Sequence, residues 1–193
     1  TSPNFNPLQS AYRKHHSTET ALLNTLNHVY SAADNSQPTI LVSLDLSAAF
    51  DTIDHGILLS RLHSEFGVSG AALEWIRSYL TGRSQRVTVG HSHSSYQSVT
   101  SGVPQGSVLG PLLFTCYISP AGHLINSFGI FHQQYADDMQ LFIEMSSNAA
   151  ATAIHQLERC LSALHCWLCL NGLSLNPDKS EAIWLSTVQR SRS

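Results

Sequence analysis

The chain has 193 residues, is 42% hydrophobic and 12% charged, and carries a formal net charge of −3. That length supports one compact domain or two small lobes, and the low polarity excludes a disordered segment. A protein that grips nucleic acid over its whole surface is usually basic, so any such contact here has to come from local clusters or from a longer parent.

The chain does not begin with Met, and it shows neither a signal-peptide pattern nor an apolar run of transmembrane length. It therefore reads as a piece of something longer, with no membrane association expected. Four cysteines are present, Cys116, Cys160, Cys166 and Cys169. Cys166 and Cys169 look like half a zinc site. Together with Cys160 and His165 they fall on one predicted helix, however, and one helix cannot surround a tetrahedral ion. Structural thiols in a reducing, intracellular compartment are the expectation.

Residues 1–9 are rich in Pro and Asn and read as irregular. Ser17 is a predicted N-cap for a helix over 18–33, with Leu22, Leu26, Val29 and Ala33 on its buried face. Arg13 and Lys14 precede it. They are either surface charges on a loop or phosphate contacts beside the helix's positive end. After a turn over 34–38, the run Thr39 to Leu46 is apolar and β-branched, the pattern of a buried strand, and it carries Asp45 near its end. A buried, unpaired carboxylate is costly, and few Lys or Arg lie nearby in sequence, which favours a metal partner. Asp54 then caps a predicted helix reaching Phe66, with Leu58, Leu62 and Phe66 stacked. Gly67 and Gly70 break it, and a second helix spans 71–80.

Residues 83–90 read as a strand with 96–100 as its hairpin partner. Arg83 and Arg86 at its entry either meet a nucleic-acid backbone or act as ordinary edge charges. His91 and His93 are expected to be exposed at the tip. The stretch Ser101-Gly102-Val103-Pro104-Gln105-Gly106-Ser107 leads into an apolar helix over 112–125. Its glycines let backbone approach a ligand, and the helix start offers free N–H groups; it lacks the Gly-Lys-Ser/Thr ending of a Walker loop, and a plain connection is the alternative.

Residues 130–135 and 139–145 read as a hairpin around Ala136-Asp137-Asp138. Adjacent carboxylates resist ionising together unless a cation sits between them, and oxygen-only ligands suit Mg²⁺. With Asp45 they could hold two ions that clamp an in-line phosphoryl displacement; alone, the pair could be a solvated tip. Asn148 is the predicted cap of a long helix whose stripe is Ile154, Leu157, Leu161, Leu164 and Leu168, ended by Asn171-Gly172. Residues 176–179 form a turn, 181–186 a last strand with Trp184, and 188–193 a polar, basic tail.

In this order, Leu41 to Asp51, Ser101 to Phe114, Tyr135-Ala136-Asp137-Asp138 and Gly172 to Ser180 resemble the palm motifs of non-LTR (LINE-type) retrotransposon reverse transcriptases, and Tyr12 to Thr18 resembles a fingers motif before them. The resemblance implies an α/β fold of the α+β type: an antiparallel polymerase palm sheet backed by helices, with part of the fingers. It divides the chain into a partial fingers segment at 1–38, a palm strand at 39–53, helices and a fingers hairpin at 54–104, and palm at 105–193.

It further implies an RNA-directed DNA polymerase that joins a dNTP to a primer 3′-hydroxyl with two Mg²⁺ ions, Mn²⁺ being a substitute. Asp45 and Asp137 would bind both ions with the Leu46 carbonyl, and Asp138 would support them. Phe50 would exclude a 2′-hydroxyl, and Gln105 and Gly106 would pack on the nucleotide and template. Lys179 would face the triphosphate as a candidate proton donor. Arg13 and Lys14 would approach the triphosphate or template, and Arg83 and Arg86 the template strand. The implied partners are an RNA template, a DNA primer, dNTPs, and fingers and thumb segments of a longer parent. Without those segments the isolated chain is expected to polymerise poorly or not at all. The alternatives are a non-catalytic remnant that binds nucleic acid or protein, and, less favoured, a two-metal nuclease or nucleotidyl cyclase on a similar sheet.

Overall fold

The computed structural model describes residues 2–146 and 149–186. In chain order the elements are α1 (Thr18–Asp34), β1 (Thr39–Leu44), β2 (Leu46–Ser47), α2 (His55–Ser64), α3 (Gly70–Leu80), β3 (Ser84–Gln85), β4 (Thr88–Val89), β5 (Ser92–His93), β6 (Gln97–Ser98), α4 (Leu109–Ser127), β7 (Phe131–Tyr135), β8 (Asp138–Glu144), α5 (Ala150–Leu170), β9 (Ser174–Leu175) and β10 (Glu181–Leu185). The central sheet has four antiparallel strands in the order β10-β1-β8-β7. Among the described residues, no helix is long and apolar enough to cross a membrane.

Alternation sorts the sheet into two faces. Val42 pairs with Leu141, and Leu44 with Met139. These residues join Ile143, Met145 and the inner sides of α4 and α5 in one core that holds Phe114, Tyr117, Leu164 and Leu168. The opposite face carries Phe142, Gln140 and Gln133 and is covered by α1. There His28 lies against Phe131 and Phe142, and Thr25 Oγ1 donates to Gln140 Oε1 at 3.0 Å.

That polar cover explains a departure from the sequence pattern. α1 buries Ala21, Thr25 and Ala32, one residue rotated from the expected stripe, and Leu22 is 57% exposed. Asn24 and Thr25 reach the glutamines of the sheet, so hydrogen bonding rather than apolar spacing chose the face. α5 shifts in the same way. Ala153 and Cys160 are buried with Leu157, Leu164 and Leu168, while Ile154 is exposed and Leu161 only half-buried.

The caps of α1 and α2 match expectation. Ser17 Oγ accepts the Thr20 amide in a capping box, and Asp54 Oδ1 accepts the Ile57 amide at 2.8 Å. α4 begins three residues earlier than predicted because Ser107 Oγ accepts the Gly110 amide at 3.0 Å. The predicted cap Asn148 and tail 188–193 lie outside the described residues.

The expected hairpin over 83–100 is broken into two ladders of two residues each. Ser84 pairs with Ser98, but Thr88 pairs with His93. Arg86 and Val87 on one side therefore face Ser94, Ser95 and Tyr96 on the other, a bulge that slips the register by one. His91 and His93 are exposed as expected, with His93 Nδ1 at 2.9 Å from Thr88 Oγ1.

Candidate active site

The predicted strand through Leu46 is interrupted at Asp45. Up to Leu44 it belongs to the central sheet; Leu46 already pairs with Leu175 of β9. Asp45 sits where the chain leaves one sheet for the other, and its C=O accepts the Asn176 amide at 2.9 Å. Asn176 Nδ2 also donates to Asp45 Oδ2 at 3.2 Å, and Lys179 Nζ lies 3.7 Å from the same oxygen. Ser180 Oγ receives the Asp45 amide at 3.4 Å and donates to the Asn176 carbonyl at 2.7 Å. The turn over 176–180 thus folds around Asp45 on three sides.

The other two acids arrive on the β7–β8 hairpin. Tyr135 pairs with Asp138, so Ala136 and Asp137 form a two-residue turn. Ala136 takes φ 55°, the positive value that the first position of such a turn requires. Leu44 pairs with Met139, so one step further along the same register Asp45 comes level with Asp138. The electrostatics record the meeting. Burial first, then the charges of Asp137 and Asp45, push the Asp138 carboxyl above its ordinary value, and Lys179 opposes them. Asp138 is exposed as a residue, while Asp45 and Asp137 are half-buried.

Three carboxylates from two distant segments therefore share one end of the sheet. Among the described residues, no three His, Cys, Asp or Glu side chains stand close enough together to hold a metal ion. The donor set nevertheless fits hard divalent cations: it is all oxygen, and its mutual repulsion is of the kind such a charge relieves. Leu46 is buried in β2, next to Asp45.

The remaining predicted residues divide. Phe50 is half-buried and stacks on Phe114 at 4.5 Å between ring centroids and 25° between planes. Its carbonyl accepts the Val103 amide at 2.9 Å, which ties it to the glycine-rich loop. Gln105 Nε2 donates to Asp51 Oδ1 at 2.8 Å, and Gly106 takes φ 77° with open space around it. Of these, Gln105 lines a cleft of about 840 Å³, together with Asp51, Arg83, Gln85 and Gly102. Asp138 instead opens on a smaller hollow of about 220 Å³ beneath α1.

Lys14 is exposed. Arg13 is turned inward, its Nη1 donating to the Pro7 and Gln9 carbonyls at 2.7 and 3.1 Å, instead of standing free toward a phosphate. Arg83 lies over the Tyr79 ring and Arg86 over the Tyr96 ring, at 4.7 and 5.0 Å. Sequence reading missed Asn176 and Asp51 as partners, although both stand inside the quoted motifs. It also missed Gln9, whose side chain meets the hairpin turn.

An antiparallel sheet that gathers acids from its central strand and an adjoining hairpin tip belongs to the polymerase palm class. A solved telomerase from Candida albicans, in complex with a TWJ fragment of telomeric RNA, shares the fold with a TM-score of 0.67 at 16% identity, over 90% of this chain and 32% of that one. The family described as reverse transcriptase (RNA-dependent DNA polymerase) matches residues 1–190, and the chain belongs to it. It is 32% identical over 177 residues to the probable RNA-directed DNA polymerase from transposon BS of Drosophila melanogaster, which covers 89% of this chain and 19% of that protein. It is 28% identical over 187 residues to the polymerase from mobile element jockey of Drosophila funebris, over 94% of this chain and 20% of that protein. The chain thus spans about a fifth of the length of the curated relatives it matches.

Proposed function

We propose that this chain is the catalytic core of an RNA-directed DNA polymerase of a non-LTR retrotransposon, joining dNTPs to a primer 3′-hydroxyl on an RNA template. The observation that carries the reading is the meeting of Asp45, Asp137 and Asp138 at one end of the palm sheet, with Lys179 against them. Asp45 and Asp137 would hold two Mg²⁺ ions, helped by the Leu46 carbonyl, and Mn²⁺ would substitute. Bound there, such ions lower the pKa of the attacking hydroxyl and neutralise the leaving pyrophosphate.

The chain's own residues supply position and selection. Lys179 is 69% exposed at its side chain and can leave Asp45 to meet a triphosphate and donate a proton to its leaving group. Phe50, stacked on Phe114, would exclude a sugar 2′-hydroxyl by collision with its ring. Gln105 and Gly106 line the path of nucleotide and template, and Lys14, Arg83 and Arg86 offer charge to phosphates. Fingers and thumb segments of a longer parent would complete the grip on primer and template.

Primer extension on an RNA template with Mg²⁺ and dNTPs tests the reading. Addition of one or a few nucleotides that is lost in both Asp45→Asn and Asp137→Asn is expected. Addition that persists in both variants overturns it, and long processive products overturn the weak grip. A non-catalytic binding remnant is favoured by one observation: Asp45 Oδ2 is already shared between Asn176 and Lys179.

A further inference from the structure

We propose that Gln9 is a positioning residue for the acidic turn, holding Ala136 so that Asp137 is aimed from a fixed backbone; this rests on the polymerase reading above. Gln9 lies in the irregular segment before α1 and is fully buried. Its Nε2 donates to the Ala136 carbonyl at 3.0 Å, and its Oε1 accepts the Ala136 amide at 2.9 Å. The same Oε1 accepts the Ala11 amide at 3.0 Å. The side-chain amide therefore does what a neighbouring strand's peptide would do, at the first of the two turn residues that lie beyond the ladder.

The segment is set against β7 to make this possible. The Ser10 amide donates to the Gln134 carbonyl at 2.9 Å, and the Gln134 amide to the Leu8 carbonyl at 3.0 Å. Gln9 and Gln134 form a parallel bridge. The backbone pairing stops there, and the Gln9 side chain extends it by one rung to Ala136. Ala136 needs the hold. Its φ of 55° is unfavourable for any residue with a Cβ, by roughly 1–2 kcal/mol, and persists where surroundings over-determine it. A hairpin tip otherwise leaves its peptide groups to water, yet Ala136 is buried. The segment also carries Tyr12 into the field of Asp137 and Tyr135, which, after burial, raise its phenol's pKa.

A plain structural tie would give the same hydrogen bonds, so the test compares two ties. Gln133 Nε2 anchors the same segment through the Leu8 carbonyl and Ser10 Oγ, both at 2.8 Å, without touching the turn. Mn²⁺ titration and amide exchange are read on the unmodified chain, Gln9→Met and Gln133→Met. Gln9→Met is expected to weaken Mn²⁺ binding about tenfold and to speed Ala136 exchange, with Gln133→Met staying within about twofold in Mn²⁺ affinity.

Unchanged Mn²⁺ affinity in Gln9→Met, or equal losses in both variants, overturns the proposal. Should Gln9→Met fail to fold, exchange in the unmodified chain still decides: the Ala136 amide is expected to be as protected as those of β8, and fast exchange refutes the hold. An unmodified chain that binds no Mn²⁺, while Gln9→Met still exposes the Ala136 amide, sinks the polymerase reading and leaves the hold of Gln9 on the turn standing.

Discussion

Asn176 holds Asp45 twice, by its backbone amide at 2.9 Å on the carbonyl and by Nδ2 at 3.2 Å on Oδ2. One residue thereby fixes both where the strand bends and where the carboxylate points. Asn176→Ala keeps the first bond and removes the second. It is expected to cost about 1 kcal/mol of stability in urea unfolding and about tenfold in Mn²⁺ affinity. Wild-type Mn²⁺ affinity in this variant would show that Asp45 needs no such guide.

Phe50 is stacked on Phe114 and still half open to solvent. Phe50→Val should lose about 1 kcal/mol from the aromatic pair beyond its area burial, read as a lower urea midpoint. Its second expected effect is a higher ratio of ribonucleotide to deoxyribonucleotide addition in primer extension. A stability loss with no change in that ratio would reduce Phe50 to a core aromatic.

His132 is fully buried on β7, with its Nε2 3.1 Å from Asn6 Nδ2. Burial, and secondarily His123, push its pKa down to about 4 from an ordinary 6.5. The unfolded chain then takes up a proton before the folded one does. Stability is complete above pH 6.5 and falls as the pH drops toward 4, by up to about 3 kcal/mol. Urea midpoints across that range check the slope, and His132→Gln, which keeps an acceptor for Asn6, should flatten it.

Gly102 has φ 81°, and a Cβ there would lie 2.7 Å from the Asp51 carbonyl oxygen. Backbone meets backbone at this point, because the Gly102 amide also donates to the Ile53 carbonyl at 2.8 Å. Gly102→Ala should cost about 1–3 kcal/mol through conformational strain, with more from the clash. Thermal unfolding measures it; an unchanged midpoint would mean that the loop after β6 does not lock onto the turn at Asp51.

The helices, the caps at Ser17 and Asp54 and the β7–β8 hairpin were legible because each is coded locally, by periodicity, a polar cap residue or a turn. The three acids were legible because motif words carry them. The buried face of α1 was not, since the sheet surface that selects it is built from glutamines far along the chain. Gln9 left no signal at all: a lone amide in an irregular segment has no period, and its partner is a backbone group. Arg13 looked like a phosphate ligand for the opposite reason, because a charge in sequence says nothing of the Pro7 and Gln9 carbonyls that fold back onto it.

β1 lies inside the sheet, yet neither neighbour comes soon after it: Thr39 pairs with Glu144 on one side and Leu185 on the other. During synthesis this strand must wait, its hydrogen-bonding edges unmatched, while the helices between form and the hairpin emerges. Closure of so many distant pairs makes for slow acquisition of the native state, with an unpaired, aggregation-prone edge on β1 until β10 has emerged.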